Sequence, residues 1–436
     1  MYNYLPSTDS QKSEMLKSLN LKSIDELYSS VPHHLIVENL DIPEGISEFE
    51  LVSKMKDIAN KNTVFATVFR GAGAYRHFIP SIVKHSVSKE SFVTAYTPYQ
   101  PEISQGILQS IFEYQTNICE LTGMDVSNAS VYDGASAAAE AVSMCRNNKR
   151  TKALISGTVD PRVISVIKTY CDAADAELVV FGEKDGLSDL DSLVEMLDET
   201  VSSVYIQQPN FYGLIEDCVR VSDIISKSGA KFIMGVNPIA MAILKTPGEV
   251  GADIAVGEGQ PLGMPLSFGG PFLGFMASKR ELLRNLPGRI VGQTKDKNGK
   301  RAFVLTLQAR EQHIRRDKAT SNICSNQALC ATTASAYLAA MGPNGLLEVA
   351  KQCLSKAHYL KDKLTDLGFS PVYKGEFFHE FLTYSPVPTN IVLEHLEKHG
   401  ILGGLPLGNR ILWCATEVNT RQEIDRMVAL LAEVVK

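Results

Sequence analysis

From about residue 61 onward, short β-rich runs alternate with helical stretches of about ten to fifteen residues, a rhythm that few folds satisfy. The runs at 129–132, 153–156, 176–181, 203–207, 231–236 and 254–256 read as strands, and 272–277 adds one more. Helical stretches at 161–173, 187–199 and 219–228 separate several of them. Strands buried on both faces lose the apolar–polar alternation of a half-exposed sheet, so the pattern predicts an α/β body with a mainly parallel sheet covered on both faces.

The flanks differ from this body. Residues 1–60 read as a helical arm: Ser7, Thr8 and Asp9 offer caps, and Met15, Leu16 and Leu19 recur at helical spacing. Ser23 with Glu26 predicts a second capped helix start, and Pro43-Glu-Gly ends the pair. Beyond 325 the sequence predicts helix from Ser325 to about Ala340, a break at Gly342-Pro-Asn-Gly, and helix again over Leu346–Leu367. Strands near 369–373 and 378–382, a helix near 389–399 and a strand near 411–415 complete a smaller α+β tail. The expected division is an arm at 1–60, a large domain at 61–325 and a small domain at 326–436.

Charge and cysteine usage exclude several classes of function. A formal net charge of -6 gives nucleic acid no electrostatic footing. The start lacks the basic and apolar regions of a secretory signal, and no apolar run approaches the ~20 residues that span a bilayer. The cytoplasm is the expected compartment. The eight cysteines contain no Cys-x-x-Cys pair, and of the nine histidines only His395 and His399 stand four apart, without the glutamate of a His-Glu-x-x-His site. With no Gly-x-Ser-x-Gly elbow either, metal-site, zinc-enzyme and hydrolase readings have no anchor, and no metal is expected.

Four segments are candidates for chemistry. The stretch 94–105 cannot be regular helix, because Pro98 and Pro101 deny amides and fix φ. It is a stiff loop carrying Tyr96, Tyr99, Gln100 and Glu102, suited equally to a small polar ligand or to a packed connection. At 128–141 a strand runs through a small-residue turn into an alanine-rich helix starting at about Ser136. Its free amides offer an anion cradle, though helices of α/β folds more often begin this way for close packing. The loop 257–271 has neither P-loop nor dinucleotide order, and Gly71-Ala-Gly-Ala-Tyr-Arg lacks the third glycine; both fit a loop shaped for a neighbouring chain better. The run 310–322 reads first as a solvated helix face. Its minority reading is an anion or interface site built from His313, Arg315, Arg316, Lys318, Thr320, Ser321 and Asn322.

Tyr96-Thr-Pro-Tyr-Gln-Pro-Glu-Ile-Ser-Gln-Gly, Asn128-Ala-Ser-Val-Tyr-Asp-Gly, Gly257-Glu-Gly-Gln-Pro-Leu-Gly and Arg310-Glu-Gln-His-Ile-Arg-Arg-Asp-Lys-Ala-Thr-Ser-Asn-Ile-Cys, in this order, resemble the N-terminal half of the glycine cleavage P-protein. A chain of 436 residues resembles the separate first, or alpha, subunit of the split form. The resemblance implies the aspartate-aminotransferase-like fold of type I pyridoxal-phosphate enzymes. It also implies a beta subunit as partner in an α2β2 complex, and an oxidative decarboxylation of glycine. That reaction passes an aminomethyl group to the lipoyl arm of the H-protein.

The cofactor of that family needs a lysine amine and an acid at the pyridine nitrogen. Here 246–278 contains no lysine: Gln260 and Pro261 stand where the lysine is expected, and Asn237 where the acid is. The expectation is therefore a chain that binds no pyridoxal phosphate covalently, the cofactor residing in the beta subunit. By the resemblance, Tyr96, Tyr99, Gln100 and Glu102 contribute to the partner's active site. Two rival readings are a self-sufficient pyridoxal-phosphate enzyme with its lysine elsewhere, and a regulatory homologue without catalytic duty.

Overall fold

The computed structural model describes residues 6–37, 40–93 and 97–435, which fall into two compact units, Met1–Val64 and Phe65–Lys436. In the first unit, helix Asp9–Ser18 starts at a capping box: Gln11 N donates to Thr8 Oγ1, and Thr8 N donates to Gln11 Oε1 at 2.8 Å. Ser23 does not cap. Its segment forms a 3-10 turn, Ile24–Tyr28, and Glu26 accepts from Lys22 N instead. The chain does not leave the helical regime at Pro43. A further helix, Glu48–Ala59, follows, started by a Ser47–Glu50 capping box. Leu51, Val52, Met55 and Ile58 recur along one stripe of it, between 44% and 55% exposed.

The second unit is built on a seven-stranded sheet in the order Val126–Ser127, Gly274–Ser278, Ile254–Glu258, Lys231–Val236, Val201–Gln208, Lys152–Ser156, Leu178–Phe181. The last five run parallel, and Gly274–Ser278 is antiparallel to both of its neighbours. Alternate residues supply the two cores. Leu154, Val204, Ile206, Phe232 and Met234 face one layer, with Tyr114 and Ile118 of helix Gln105–Thr122. Ala153, Ile155, Tyr205 and Ile233 face the other, with helices Gly134–Cys145 and Pro161–Asp172. The strand expected at 129–132 is shorter and earlier; Val131 makes only an isolated bridge to Gly274.

Two features depart from the expected pattern. A hairpin, Ile290–Lys295 with Arg301–Thr306, closes over Gln105–Thr122 and was not anticipated. The run 310–322 is not one helix but three short turns, Gln308–Arg310, Gln312–Arg315 and Arg316–Lys318, with Arg316 at φ 55°. With Ile314 as its sole large apolar residue and 50% exposed, the run has no face to bury, and helices gain most of their stability from such a face.

Helix Ala328–Asp366 breaks at Gly342, whose φ of 63° and ψ of 179° no helix accommodates. It leads to a three-stranded antiparallel sheet, Glu380–Tyr384, Arg410–Cys414 and Leu405–Leu407, covered by helices Thr389–Lys398 and Arg421–Val435 around Trp413. The expected strand near 369–373 reduces to a bridge at Pro371. His77, Cys353 and Glu417 tie this region together: His77 Nδ1 lies 2.7 Å from Glu417 Oε2, and the Cys353 thiol donates to the same oxygen at 3.4 Å. All eight cysteines are free.

Candidate functional site

The carboxyl ends of the parallel strands open onto a cavity of about 270 Å³, the place where open α/β sheets bind ligands. Its walls come from the ends of strands Val201–Gln208, Lys231–Val236 and Ile254–Glu258, the start of helix Gly134–Cys145, the 73–75 turn, and His379 with Glu380.

The helix start is the natural seat for a phosphate, but the chain's own carboxylates occupy it. Asp133 accepts from Ser136 N at 2.7 Å, and Glu258 Oε2 accepts from Gly134 N at 2.9 Å. The other oxygen of Glu258 accepts from Gln260 N and Leu273 N, both at 2.9 Å. Glycine is required at 134 because a Cβ there would lie 2.9 Å from Glu258 N. Ser136 thus belongs to a capped helix start, which begins two residues earlier than its sequence indicated.

Gln260 is buried, and its side chain is saturated. Oε1 accepts from Tyr75 N at 2.9 Å, while Nε2 donates to Tyr75 O and Met264 O, both at 2.8 Å. An amide at this position staples the 73–75 turn to the glycine-rich loop; Pro261 beside it is buried. Asn237 turns its carbonyl oxygen back to Ile239 N at 2.9 Å and Ala240 N at 3.2 Å, capping a 3-10 turn. Its amide nitrogen lies 3.4 Å from His379 Nε2.

On the opposite wall Glu380 accepts from Ala72 N and from Tyr75 Oη, each at 2.6 Å. Arg162 Nε donates to Asp160 Oδ1 at 2.9 Å, and Nη2 bonds Ala72 O and Asp160 Oδ2. Burial pushes the Glu380 carboxyl up to about 7, opposed by its Tyr75 and Ala72 hydrogen bonds, and holds His379 well below the usual imidazole range. Burial likewise pushes Glu258 up to about 7, against three backbone amides. Among the described residues the cavity therefore presents Asp133, Asp160, Glu258 and Glu380 around one guanidinium, and no lysine lines it. An aldehyde cofactor bearing a phosphate dianion fits neither the occupied helix start nor this charge pattern.

Two of these carboxyl values carry a stability consequence, together with Glu140, whose carboxyl burial also pushes up to about 7 despite hydrogen bonds to Ser321 and Tyr170. An unfolded glutamate titrates near ~4.3, so between about pH 4.3 and 7 the folded chain binds more protons than the unfolded one. Stability is thus expected to fall as pH rises through that window, by on the order of 2 kcal/mol per carboxyl. Urea midpoints should be lower at pH 8 than at pH 5.5, and Glu140→Gln should flatten the difference. An unchanged slope in that variant counts against the assignment.

The loop 97–104 is irregular, as its prolines require, with Tyr99, Gln100 and Glu102 exposed; Tyr96 lies outside the described residues. The run 310–322 anchors through Arg310, which bonds Leu286 O and donates to Gly288 O at 3.1 Å. It leaves His313, Arg315, Arg316, Lys318, Thr320 and Asn322 exposed, with Ser321 half-buried at Glu140. Neither segment lines the cavity. The loop and Cys324, two residues beyond the run, meet at Arg289, which donates to Tyr99 Oη at 3.0 Å and faces Cys324 Sγ at 3.8 Å.

Glu258, Glu380, Asp160, Arg162, Tyr75 and Arg289 were not singled out by sequence. Tyr75 sits in the Gly71-Ala-Gly-Ala-Tyr-Arg segment, whose only sequence signal was its resemblance to an incomplete nucleotide loop.

A strand order with one antiparallel intruder, a small C-terminal sheet and a cavity at the strand ends define the type I fold of pyridoxal-phosphate enzymes. The chain superposes on mouse CSAD in apo form (TM-score 0.69, 14% identity, 95% of this chain and 92% of that one). It also superposes on an alanine–glyoxylate aminotransferase from Nostoc (TM-score 0.60, 14% identity, 92% and 98%). The likeness that goes beyond fold is to a glycine decarboxylase (P-protein) of the glycine cleavage system in inhibitor-bound form. There the TM-score is 0.94 at 39% identity, covering 99% of this chain and 100% of that one. The family model described as glycine cleavage system P-protein matches residues 2–431, and the chain belongs to that family. It is 49% identical to the probable glycine dehydrogenase (decarboxylating) subunit 1 of Moorella thermoacetica, covering 98% of both chains. It is 47% identical to that of Brevibacillus brevis, covering 100% of this chain and 99% of the relative.

Proposed function

We propose that this chain is the alpha subunit of a two-chain glycine decarboxylase, and that it completes an active site whose pyridoxal phosphate is held by a beta subunit. The observation that carries this reading is the cavity itself. A member of a decarboxylating family keeps the pocket of a cofactor fold but fills its helix start with Asp133 and Glu258, and ties Gln260 into the backbone of Tyr75. The cofactor supplies the electron sink from the partner. This chain contributes surface: the loop of Tyr99, Gln100 and Glu102, with Tyr96 by resemblance, and the basic turns 313–322 that shape the interface or meet an anion. The stripe of Leu51, Val52, Met55 and Ile58 is an apolar face suited to a partner chain. An α2β2 assembly in the cytoplasm, delivering the aminomethyl group to the lipoyl arm of the H-protein, follows from the same reading.

A self-sufficient enzyme with its lysine elsewhere finds no support, because among the described residues no lysine reaches the cavity wall. Co-expression with the beta subunit tests the proposal. A stable complex that exchanges labelled CO2 into glycine, where this chain alone does not, supports it. A chain that neither assembles nor alters the partner's exchange is a regulatory or structural homologue.

A further inference from the structure

Arg289 is the most anomalous charge in the second unit. It is 3% exposed, and among the described residues it has no ion-pair partner. Its Nε is buried without a hydrogen bond. Among the described residues its Nη2 reaches Tyr99 Oη at 3.0 Å and the Cys324 sulfur at 3.8 Å, and its guanidinium carbon lies 5.2 Å from the centre of the Tyr99 ring. A guanidinium stays charged at any physiological pH and offers five N–H donors. Burying that charge without a counter-anion is costly, so the fold keeps it only at a price. The backbone around it is fixed: Ala129 N donates to Arg289 O at 2.8 Å, and Val291 N donates to Gln115 Oε1 at 2.9 Å.

Tyr99 shows where the charge is directed. The residue is 52% exposed and its hydroxyl oxygen accepts from Arg289, and among the described residues the phenol's own proton has no acceptor. A hydroxyl that accepts from a cation donates more strongly onward, because hydrogen bonds in a chain polarise one another. A phenol donor on a half-exposed residue, backed by a buried cation, suits an oxyanion. Tyr99 and Cys324, which meet at Arg289, belong to two of the segments that bear the family resemblance.

We propose that Arg289 and Tyr99 form an oxyanion-recognition pair on the face this chain offers its partner, taking a carboxylate or phosphate that belongs to the partner's site. The inference rests on the alpha-subunit reading above and assigns that face its chemistry. Tyr99 touches the anion; Arg289 is a positioning residue that orients the phenol and supplies the charge behind it.

The test uses the two-chain complex. Tyr99→Phe, Arg289→Lys and Arg289→Gln are each assembled with the beta subunit. Three quantities are read: complex stoichiometry, the glycine KM and kcat in CO2 exchange, and retention of pyridoxal phosphate after gel filtration. With assembly unchanged, Tyr99→Phe is expected to raise either the glycine KM or the cofactor dissociation constant at least fivefold, Arg289→Gln more, and Arg289→Lys to recover part of the loss. A raised KM with full cofactor retention assigns the anion as the substrate carboxylate. Cofactor loss, with KM normal at saturating added pyridoxal phosphate, assigns it as the phosphate. Wild-type values of both quantities in Tyr99→Phe overturn the proposal, and this half-exposed position decides the matter if Arg289→Gln fails to fold. A wild-type complex without exchange would instead defeat the alpha-subunit reading; an active one with indifferent variants defeats this pair alone.

Discussion

Gly213→Ala is expected to cost the chain about 4 kcal/mol or more of folding stability, in the exceptional range for a single methyl. Gly213 sits at φ +85°, where an L side chain costs ~1–2 kcal/mol for conformation alone. The larger part is steric. A Cβ there would lie 1.9 Å from the Glu380 carbonyl oxygen and 2.5 Å from its carbon, and backbone atoms cannot swing aside as a side chain can. The turn is pinned on both sides, because Gly213 N donates to Asn210 O and Phe378 N donates to Gly213 O at 3.0 Å. Relief must move residues 378–380, and with them the carboxylate that holds Ala72 and Tyr75 at the cavity wall. Gly400→Ala is the control: its φ of +74° is equally left-handed, but nothing lies within 4 Å of its Cβ. Urea denaturation should show a loss of about 1–2 kcal/mol there. Equal losses in the two variants would mean that the contact with Glu380 is not what makes Gly213 necessary.

Placing aspartate at both Val52 and Met55 is expected to weaken assembly with the beta subunit by a factor of about 100 to 10,000. Each side chain is worth about 1.5–3 kcal/mol when fully buried, and about 1.4 kcal/mol is tenfold in affinity. The stripe of Leu51, Val52, Met55 and Ile58 is apolar on one side of Glu48–Ala59, while Lys54, Lys56 and Asp57 hold other faces. No residue of this helix is buried, so the substitutions carry little folding cost within the chain. Affinity measured by analytical ultracentrifugation, with circular dichroism to confirm folding, decides the matter. Unaltered affinity would remove the arm from the interface.

Legibility divided along physical lines. The parallel strands were readable because strands buried on both faces concentrate Val, Ile and Phe in short runs between helices. Gly342 broke its helix where the sequence predicted, since Gly-Pro-Asn-Gly supplies a left-handed residue followed by one lacking an amide. Ile290–Lys295 with Arg301–Thr306 escaped notice because charges crowd its tip, although Asn298-Gly299 is a turn signal. Glu48–Ala59 escaped in spite of Ser47 and Glu50, while Ser23 and Glu26 offered the same spacing and produced a 3-10 turn. Spacing alone cannot tell these apart, because the residues that follow decide whether a helix continues. The substitution of Gln260 for a lysine was visible in one dimension. Its consequence was not, because Glu258, Asp133 and Glu380 meet only through contacts spanning up to several hundred residues of chain. Arg289 was overlooked for the same reason, its partners lying at 99 and 324.

Adding pyridoxal phosphate to the isolated chain, reducing with borohydride and recording the intact mass probes the missing cofactor seat most directly. With the helix start held by Asp133 and Glu258 and no lysine among the described residues of the cavity wall, no stoichiometric adduct should form. One equivalent of cofactor fixed to a single lysine of this chain would contradict the account.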